Sequence, residues 1–435
     1  MTLRKSYLIY SITILMIAPL SSPIFSQSTY SQVTLDRCLI LARQNYPLIS
    51  QFGLIEKSKE ITLENTANML IPQIILSGQA TYQSDVTGLP IQLPNFEVPT
   101  VAKDQYRIFA EFNQSLTDFY TIRNQKSLIS QQAEVDQNKL EVEFYKLQER
   151  ILDLYFGVLL LDAQILQVNI LKKDIEAGKE KVASAVKNGI ALLGAEDQLQ
   201  AEWLKAEQKM IELSYSKTAL LRVLSTLTQV KLDENTNFVI PESLPVSVGI
   251  NRPELKLIQS QQIALDVQSR VIDQRTLPRF NVFAQFGAGR PGLNMLSNDF
   301  DPYWIGGLRL QWNLSSFYTI NKEKQILRVN REILSTQQEA LMLNIYTQMT
   351  HQEEELEKLK QLMVRDQSII NLRENILTTG KVQLEQGVIT SVEYVNFVHA
   401  VDLARQNLAL NEMKLAKTAF QMKHISGYQV NPQSN

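Results

Sequence analysis

The chain has 435 residues, 43 Lys and Arg against 45 Asp and Glu, and a formal net charge of −2. That balance excludes the strong basic field of a nucleic-acid binder. Sixteen glycines and 14 prolines are few for this length, which suits long helices, and a single cysteine, Cys38, excludes a disulfide framework or a cysteine-built metal site.

The first element in the chain is a targeting segment. Arg4 and Lys5 precede an apolar run over 7–20, followed by Ser21-Ser22-Pro23-Ile24-Phe25-Ser26. This reads as a secretory signal peptide, residues 1–26, cut near Ser26. The alternative, a membrane anchor, would need ~20 apolar residues. Cys38 has no small-residue lipobox before it, so it is expected to be a buried thiol. Beyond the signal, no continuous apolar run is expected to form a transmembrane helix.

The remainder is written twice. Phe119-Tyr120-Thr121-Ile122 returns as Phe317-Tyr318-Thr319-Ile320, and 317 − 119 = 198. Gly189 and Gly387 keep the same spacing, 387 − 189 = 198. Asn45-Tyr46-Pro47-Leu48 resembles Asn251-Arg252-Pro253-Glu254-Leu255, and Pro72 and Pro278 each follow 25 residues after the first proline of their copy (72 − 47 = 278 − 253 = 25). The predicted organisation is a first repeat over 27–229, a linker over 230–250 broken by Pro241, Pro245 and Gly249, a second repeat over 251–426, and a tail over 427–435.

Each repeat reads as helix, strand, loop, strand, very long helix, turn, helix. Strands are predicted at 73–84, 105–116, 279–288 and 303–314, where apolar and polar residues alternate with a period of two. Ile74, Leu76, Gly78, Ala80 and Tyr82 form one such face, and Trp304, Leu308, Leu310, Trp312 and Leu314 another. Each strand has the ~10-residue length of a tilted membrane strand. Alternation alone fits a soluble sandwich equally well; the signal peptide and the helices favour the barrel.

Long helices are predicted at 119–187 and 317–386, each ~100 Å at 1.5 Å per residue, with partner helices at 193–226 and 391–425. Their apolar residues step by three, four or seven, a heptad seam: Leu140, Phe144, Leu147, Ile151 onward in the first, Met342, Ile345, Met349 onward in the second. The fold class is therefore mostly α with membrane β, a tandem-duplicated protomer with four barrel strands and long coiled-coil helices. Four strands cannot close a barrel in lipid, so strands must be pooled between copies. Arg107, Glu111, Arg279 and Arg309 fall on the polar side of the strands and are expected to face a wet barrel lumen.

These features together resemble the TolC family of outer-membrane efflux proteins over essentially the whole mature chain. They are the duplicated "NYPL"/"NRPEL" helix starts, the strands opening after Pro72 and Pro278, the strand-to-helix junctions, and the turns "KNGIALLGAED" and "EQGVITSVEYV". The resemblance implies a homotrimer forming a 12-stranded β-barrel joined to a periplasmic α-helical barrel, in the outer membrane of a Gram-negative bacterium. It implies a passive efflux or type I secretion duct, not an enzyme. Its partners would be outer-membrane lipid, a periplasmic adaptor (membrane fusion protein) and an inner-membrane pump of RND or ABC type. An exported coiled-coil scaffold or adhesin without a pore is the competing reading.

The resemblance also implies site residues. Adaptor hairpins would dock at Asn188-Gly189-Ile190 and Gln386-Gly387-Val388. The positions that narrow the periplasmic mouth in relatives are Glu393 and Asn396, of which one is acidic. The first-copy counterpart of Glu393 is Ala195, and the basic residue that locks the closed tip in relatives is Ile389, so that polar lock is missing. No catalytic set, cofactor or metal site is expected. His351, His399 and His424 are widely spaced, and Met342, Met349 and Met363 lie on the seam, where core packing explains them.

Overall fold

The computed structural model describes residues 32–87, 101–189, 192–241 and 249–428. The expected signal peptide, residues 88–100, 190–191, 242–248 of the linker and 429–435 of the tail lie outside them. The described chain runs β1 (Gln32–Val33), α1 (Leu35–Asn45), α2 (Ser50–Asn68), β2 (Gln73–Tyr82), β3 (Asp104–Ser115), α3 (Asp118–Lys187) and α4 (Leu193–Thr228). It continues with β4 (Asn237–Phe238), α5 (Pro253–Asp273), β5 (Arg279–Arg290), β6 (Asp301–Gln311), α6 (Ser316–Glu385) and α7 (Ser391–Ile425).

The four alternating segments are strands of one antiparallel sheet, ordered β2-β3-β5-β6. Each repeat supplies one hairpin, and β3 with β5 joins the hairpins across the duplication. Register sorts the side chains. Ile74 lies opposite Phe112, Phe112 opposite Ala284, and Ala284 opposite Gly306; Leu76, Ala110, Phe286 and Trp304 make the next row. This face is apolar and exposed: Leu76 is 74% exposed, Trp304 70% and Leu308 75%. The opposite face carries Arg107, Glu111, Arg279 and Arg309, as the alternation predicts. It is less polar than expected, because Phe109, Phe283 and Ile305 share it. Arg309 lies 4.5 Å from the Phe283 ring centre and 3.5 Å from Glu111, so its charge is stacked and paired across β5.

α3 and α6 each have 70 residues, about 105 Å of helix at 1.5 Å per residue. Neither contains proline, and their seams are buried where the heptad pattern places them: Leu140, Phe144, Leu147 and Ile151 on α3, Ile345, Leu359, Ile370 and Leu377 on α6. The middle of α3 is apolar enough, by length and composition, to cross a membrane. The reason lies in packing. Around 151–159 the helix is wrapped by α1, α4, α7 and the β1–β4 pair, so apolar residues are called for on most of its circumference.

That wrapped region is the principal core. β1 pairs in parallel with β4 through Gln32–Asn237 and Val33–Phe238. The buried Tyr155 hydroxyl sits 2.9 Å from the Val33 carbonyl oxygen and 2.6 Å from that of Val239, tying both strands to α3. Cys38 is buried here, its thiol pKa pushed up to about 12 by burial, which makes it inert. Lys217 is also buried, and is matched by Asp162 at 2.6 Å and the Glu234 carbonyl at 2.9 Å.

Beside this core, His424 stacks on Tyr145 with ring centres 4.0 Å apart, and Arg252 covers Tyr145 while pairing with Glu254 at 2.5 Å. Burial, then the Arg252 charge, against the weaker pull of Glu254 and Asp153, lowers the His424 pKa from 6.5 to about 4. Above pH 6.5 the ring is neutral in folded and unfolded chains alike and costs nothing. As pH falls from 6.5 towards 4 the unfolded chain takes up a proton that the folded chain refuses, so stability drops, levelling off at a loss of roughly 3 kcal/mol. Denaturation midpoints across this window are expected to fall in wild type and to fall less in His424→Phe, which keeps the stack and removes the titration.

Candidate functional site: the paired helix turns

The ends of α3 and α6 farthest from the sheet lie together, and two turns, 188–192 and 386–390, lead back into α4 and α7. The described residues that open the two turns share one geometry. The N–H of Gly189 donates to the Val186 carbonyl at 3.0 Å, and that of Gly387 to the Leu384 carbonyl at 3.1 Å. Both glycines have φ of 71°, a left-handed conformation that ends a helix cheaply only without a Cβ. Asn188 and Gln386 are the residues at which the helices stop. Both are exposed, and beyond them Val388 is 65%, Leu192 84% and Leu193 73% exposed.

Between the turns lies a cavity of about 370 Å³. Leu192, Gly194, Ala195, Leu384, Gly387 and Ile389 are among its lining residues. Ala195, the first-copy counterpart of Glu393, and Ile389, where the resemblance leads one to expect a basic residue, are both uncharged. Here they form apolar wall, and Ile389 packs against the buried cluster of Val182, Leu199, Leu384, Tyr394 and Val398.

Glu393 and Asn396 are both exposed on the first turns of α7. The Glu393 carboxylate already has a partner. It accepts the Thr390 backbone N–H at 2.8 Å and the Thr390 hydroxyl at 3.0 Å, while the Glu393 N–H donates to the Thr390 hydroxyl oxygen at 3.2 Å. This is a capping box. Those bonds, the backbone one first, hold the carboxyl below the usual carboxylate range, whereas repulsion within a ring of like charges would raise it. The signal was present in the sequence as Thr390-x-x-Glu393 ahead of an apolar stripe.

Periodicity gave no hint of the contacts that join the two hairpins. Asp174 on α3 receives Lys381 of α6 and Arg405 of α7, each at 3.5 Å. Its backbone carbonyl accepts the Tyr394 hydroxyl at 3.2 Å. Lys181 pairs with Glu385. On the flank, His399 Nε2 lies 3.1 Å from Glu202, whose carboxyl is held low by Lys205 and, secondarily, by His399. Close approach is enforced at two glycines: a Cβ on Gly178 would meet the Tyr394 ring at 2.4 Å, and one on Gly380 the Phe397 ring at 2.6 Å.

The remaining candidates are dispersed. Among the described residues no group of three His, Cys, Asp or Glu side chains is arranged to hold a metal. Arg107, Glu111, Arg279 and Arg309 belong to the sheet, at the other end of α3 and α6 from the turns.

A four-stranded sheet continuing into two 70-residue helices and two short return helices is shared with known proteins. The outer membrane protein VceC from Vibrio cholerae superposes with a TM-score of 0.68 at 13% identity, covering 91% of this chain and 97% of that chain. The open-state MtrE outer membrane channel of Neisseria gonorrhoeae gives 0.65 at 12%, covering 90% and 89%. The CmeC outer membrane channel of Campylobacter jejuni gives 0.63 at 11%, covering 92% and 87%. The chain has the outer-membrane channel fold. In sequence, no family model and no curated protein matches it. At such low identity the shared backbone carries no residue assignments, so the roles of these side chains are argued from their own geometry.

Within the channel fold, the Asp174 cluster ties both α6 and α7 to α3 by charge, alongside the Lys181–Glu385 and Lys417–Asp153 pairs. Asp174→Asn removes the ionic part and keeps the Tyr394 bond to the backbone. The expected outcome is a several-fold faster proteolytic nicking at the 386–390 turn, and a broader distance distribution between spin labels on α4 and α7, with the sheet unaffected. Unchanged proteolysis and distances would show that the Asp174 cluster does not hold the hairpins.

Proposed function

We propose that this protein is an outer-membrane exit duct of the TolC type, a passive channel for a tripartite efflux or type I secretion system. One observation carries the reading. The chain presents a four-stranded sheet with an exposed apolar face and two edge strands, β2 and β6, whose outer sides have no strand partner among the described residues. Unpaired backbone groups are not tolerated in hydrocarbon, and the smallest closed barrels have about eight strands. Three copies would pool 12 strands around a wet passage, with the face of Arg107, Glu111, Arg279 and Arg309 inward.

The helices support the same assembly. α6 leaves Leu343, Tyr346, Val364 and Leu372 exposed on the side away from α7's seam, a second stripe suited to a neighbouring copy. At the junctions Phe119, Tyr120, Phe317 and Tyr318 are exposed, as aromatic girdle residues are at a membrane interface. The repeated "FYTI" thus marks, in each repeat, the place where membrane strand gives way to periplasmic helix. A scaffold or adhesin without a pore has no use for an exposed apolar sheet.

In this reading the turns at Asn188-Gly189-Ile190 and Gln386-Gly387-Val388 receive a periplasmic adaptor, which couples the duct to an inner-membrane pump of RND or ABC type. Glu393 and Asn396 ring the mouth. The expected species in detergent is a trimer by mass; a stable monomer would overturn the proposal. Gly189→Arg and Gly387→Arg are expected to abolish export while leaving the trimer intact, since a long charged side chain at a left-handed position both strains the turn and blocks a closely packed hairpin. Export that persists in the double variant rules out docking there.

Glu393→Gln separates two roles of one side chain. Glutamine still serves a capping box, so α7 is expected to stay folded. Three carboxylates around the axis favour cations. Single-channel recordings are expected to show reduced cation preference and weaker block by multivalent cations from the periplasmic side. Recordings identical to wild type would assign Glu393 to helix capping only.

A further inference from the structure

Where α5 hands over to β5 and β6 to α6, a cavity of about 230 Å³ is lined by Arg275, Leu277, Arg279, Gln311, Asn313 and Ser316. Its lining residues carry two guanidinium groups, two amides and a hydroxyl, and no carboxylate is among them. Gln311 is the ladder partner of Arg279. The Asn313 side-chain oxygen is taken by the Ser315 hydroxyl at 2.6 Å, which leaves its NH₂ to donate. Arg275 is anchored at the rim by Glu323 at 2.9 Å. The walls are tied by Trp312, whose indole N–H donates to the Thr276 carbonyl at 2.9 Å. Arg279 has no hydrogen-bond or ion-pair partner among the described residues.

The duplication supplies an internal control. Equivalent positions follow from the offsets 279 − 73 = 206 on the α5–β5 side and 311 − 113 = 198 on the β6–α6 side. The first repeat then has Met69, Ile71 and Gln73 for Arg275, Leu277 and Arg279, and Asn113, Ser115 and Asp118 for Gln311, Asn313 and Ser316. That junction folds to the same plan with one acid and no base. The two arginines are therefore not required to build the turn from helix to strand. A cavity lined by two arginines and by amides and a hydroxyl that can donate, with no carboxylate among its lining residues and one guanidinium fork free to bind two oxygens at once, is suited to a tetrahedral oxyanion.

We infer that this cavity is an anion site for a phosphate-class group, with Arg279 as its main ligand and Arg275 as its second. The group has two sources, a soluble phosphate-bearing molecule in the duct or a phospholipid headgroup at the membrane rim. Register puts Arg279 and Gln311 on the face opposite the lipid-suited one, which favours the soluble source. Only that choice of side rests on the duct reading; the binding chemistry does not.

The test is titration of the purified full-length assembly with inorganic phosphate, followed by calorimetry in phospholipid-free detergent at low ionic strength. Saturable binding near one site per chain is expected. Arg279→Gln, which installs the first-repeat residue, is expected to weaken it by about tenfold or more. Arg275→Met should weaken it several-fold, and Arg107→Gln, on the same face but remote, should leave it unchanged. In nanodiscs, loss of phosphate binding with phosphatidylglycerol but not with phosphatidylcholine identifies a lipid headgroup as occupant; persistence in both identifies a soluble anion. Absence of saturable phosphate binding, or equal weakening by Arg107→Gln and Arg279→Gln, overturns the site. Because the readout is neither conductance nor export, a channel that binds phosphate but does not conduct would sink the duct reading alone.

Discussion

Everything in this molecule follows from the hydrogen-bonding demand of the sheet's two edges. On their outer sides β2 and β6 each present a row of backbone N–H and C=O groups with no strand partner among the described residues. In water such an edge invites aggregation; in hydrocarbon it is prohibitively costly. The exposed apolar face makes water the wrong medium for this sheet, and the edges make lipid impossible for a single copy. In the proposed duct, further copies of the same chain supply the missing partners. The long helices inherit that arrangement, because each leaves a strand end and must find neighbours at the spacing the strands impose.

The duplication then divides the labour. The repeats share their strand hairpins, their 70-residue helices and the +71° glycine turns, which are the parts that geometry dictates. They differ where no such constraint operates. The first repeat holds the middle of α3, wrapped on nearly all sides, while α6 stays exposed along much of its length. At the strand–helix junctions one copy carries Met69 and Gln73, the other Arg275 and Arg279. At the turns, the capping box belongs to α7 alone, and α4 begins without a side-chain cap.

How much of this was legible in the sequence depended on the range of the pattern. The strands announced themselves because a period of two sorts residues such as Ile74 and Gln73 onto opposite faces, and the observed bounds differ from the predicted ones by only a few residues. The seams were legible because heptad spacing survives over many turns. The β1–β4 pair was not, since two residues such as Gln32 and Val33 carry no period and owe their pairing to Tyr155 of a distant helix. Asp174, Lys381 and Arg405 were equally hidden: ion pairs across some 200 positions leave no local trace. Phe109 and Phe283 were passed over because the strands were read as oil on one side and water on the other. Glu393 enters through the resemblance alone, whereas its pairing with Thr390, three residues away, is carried by the local capping-box spacing.

The equal length of α3 and α6 makes the molecule a matched pair of rulers. Both start at one sheet and must bring Gly189 and Gly387 to the same level, so neither can gain or lose residues alone. One inserted residue would lift its turn by about 1.5 Å and rotate it by about 100°, carrying Tyr394 or its neighbours off the close approach to Gly178. Whole heptads inserted in both helices would restore the facing seam. The reach of the protein away from its sheet is therefore free to change only in steps, and only in both repeats at once.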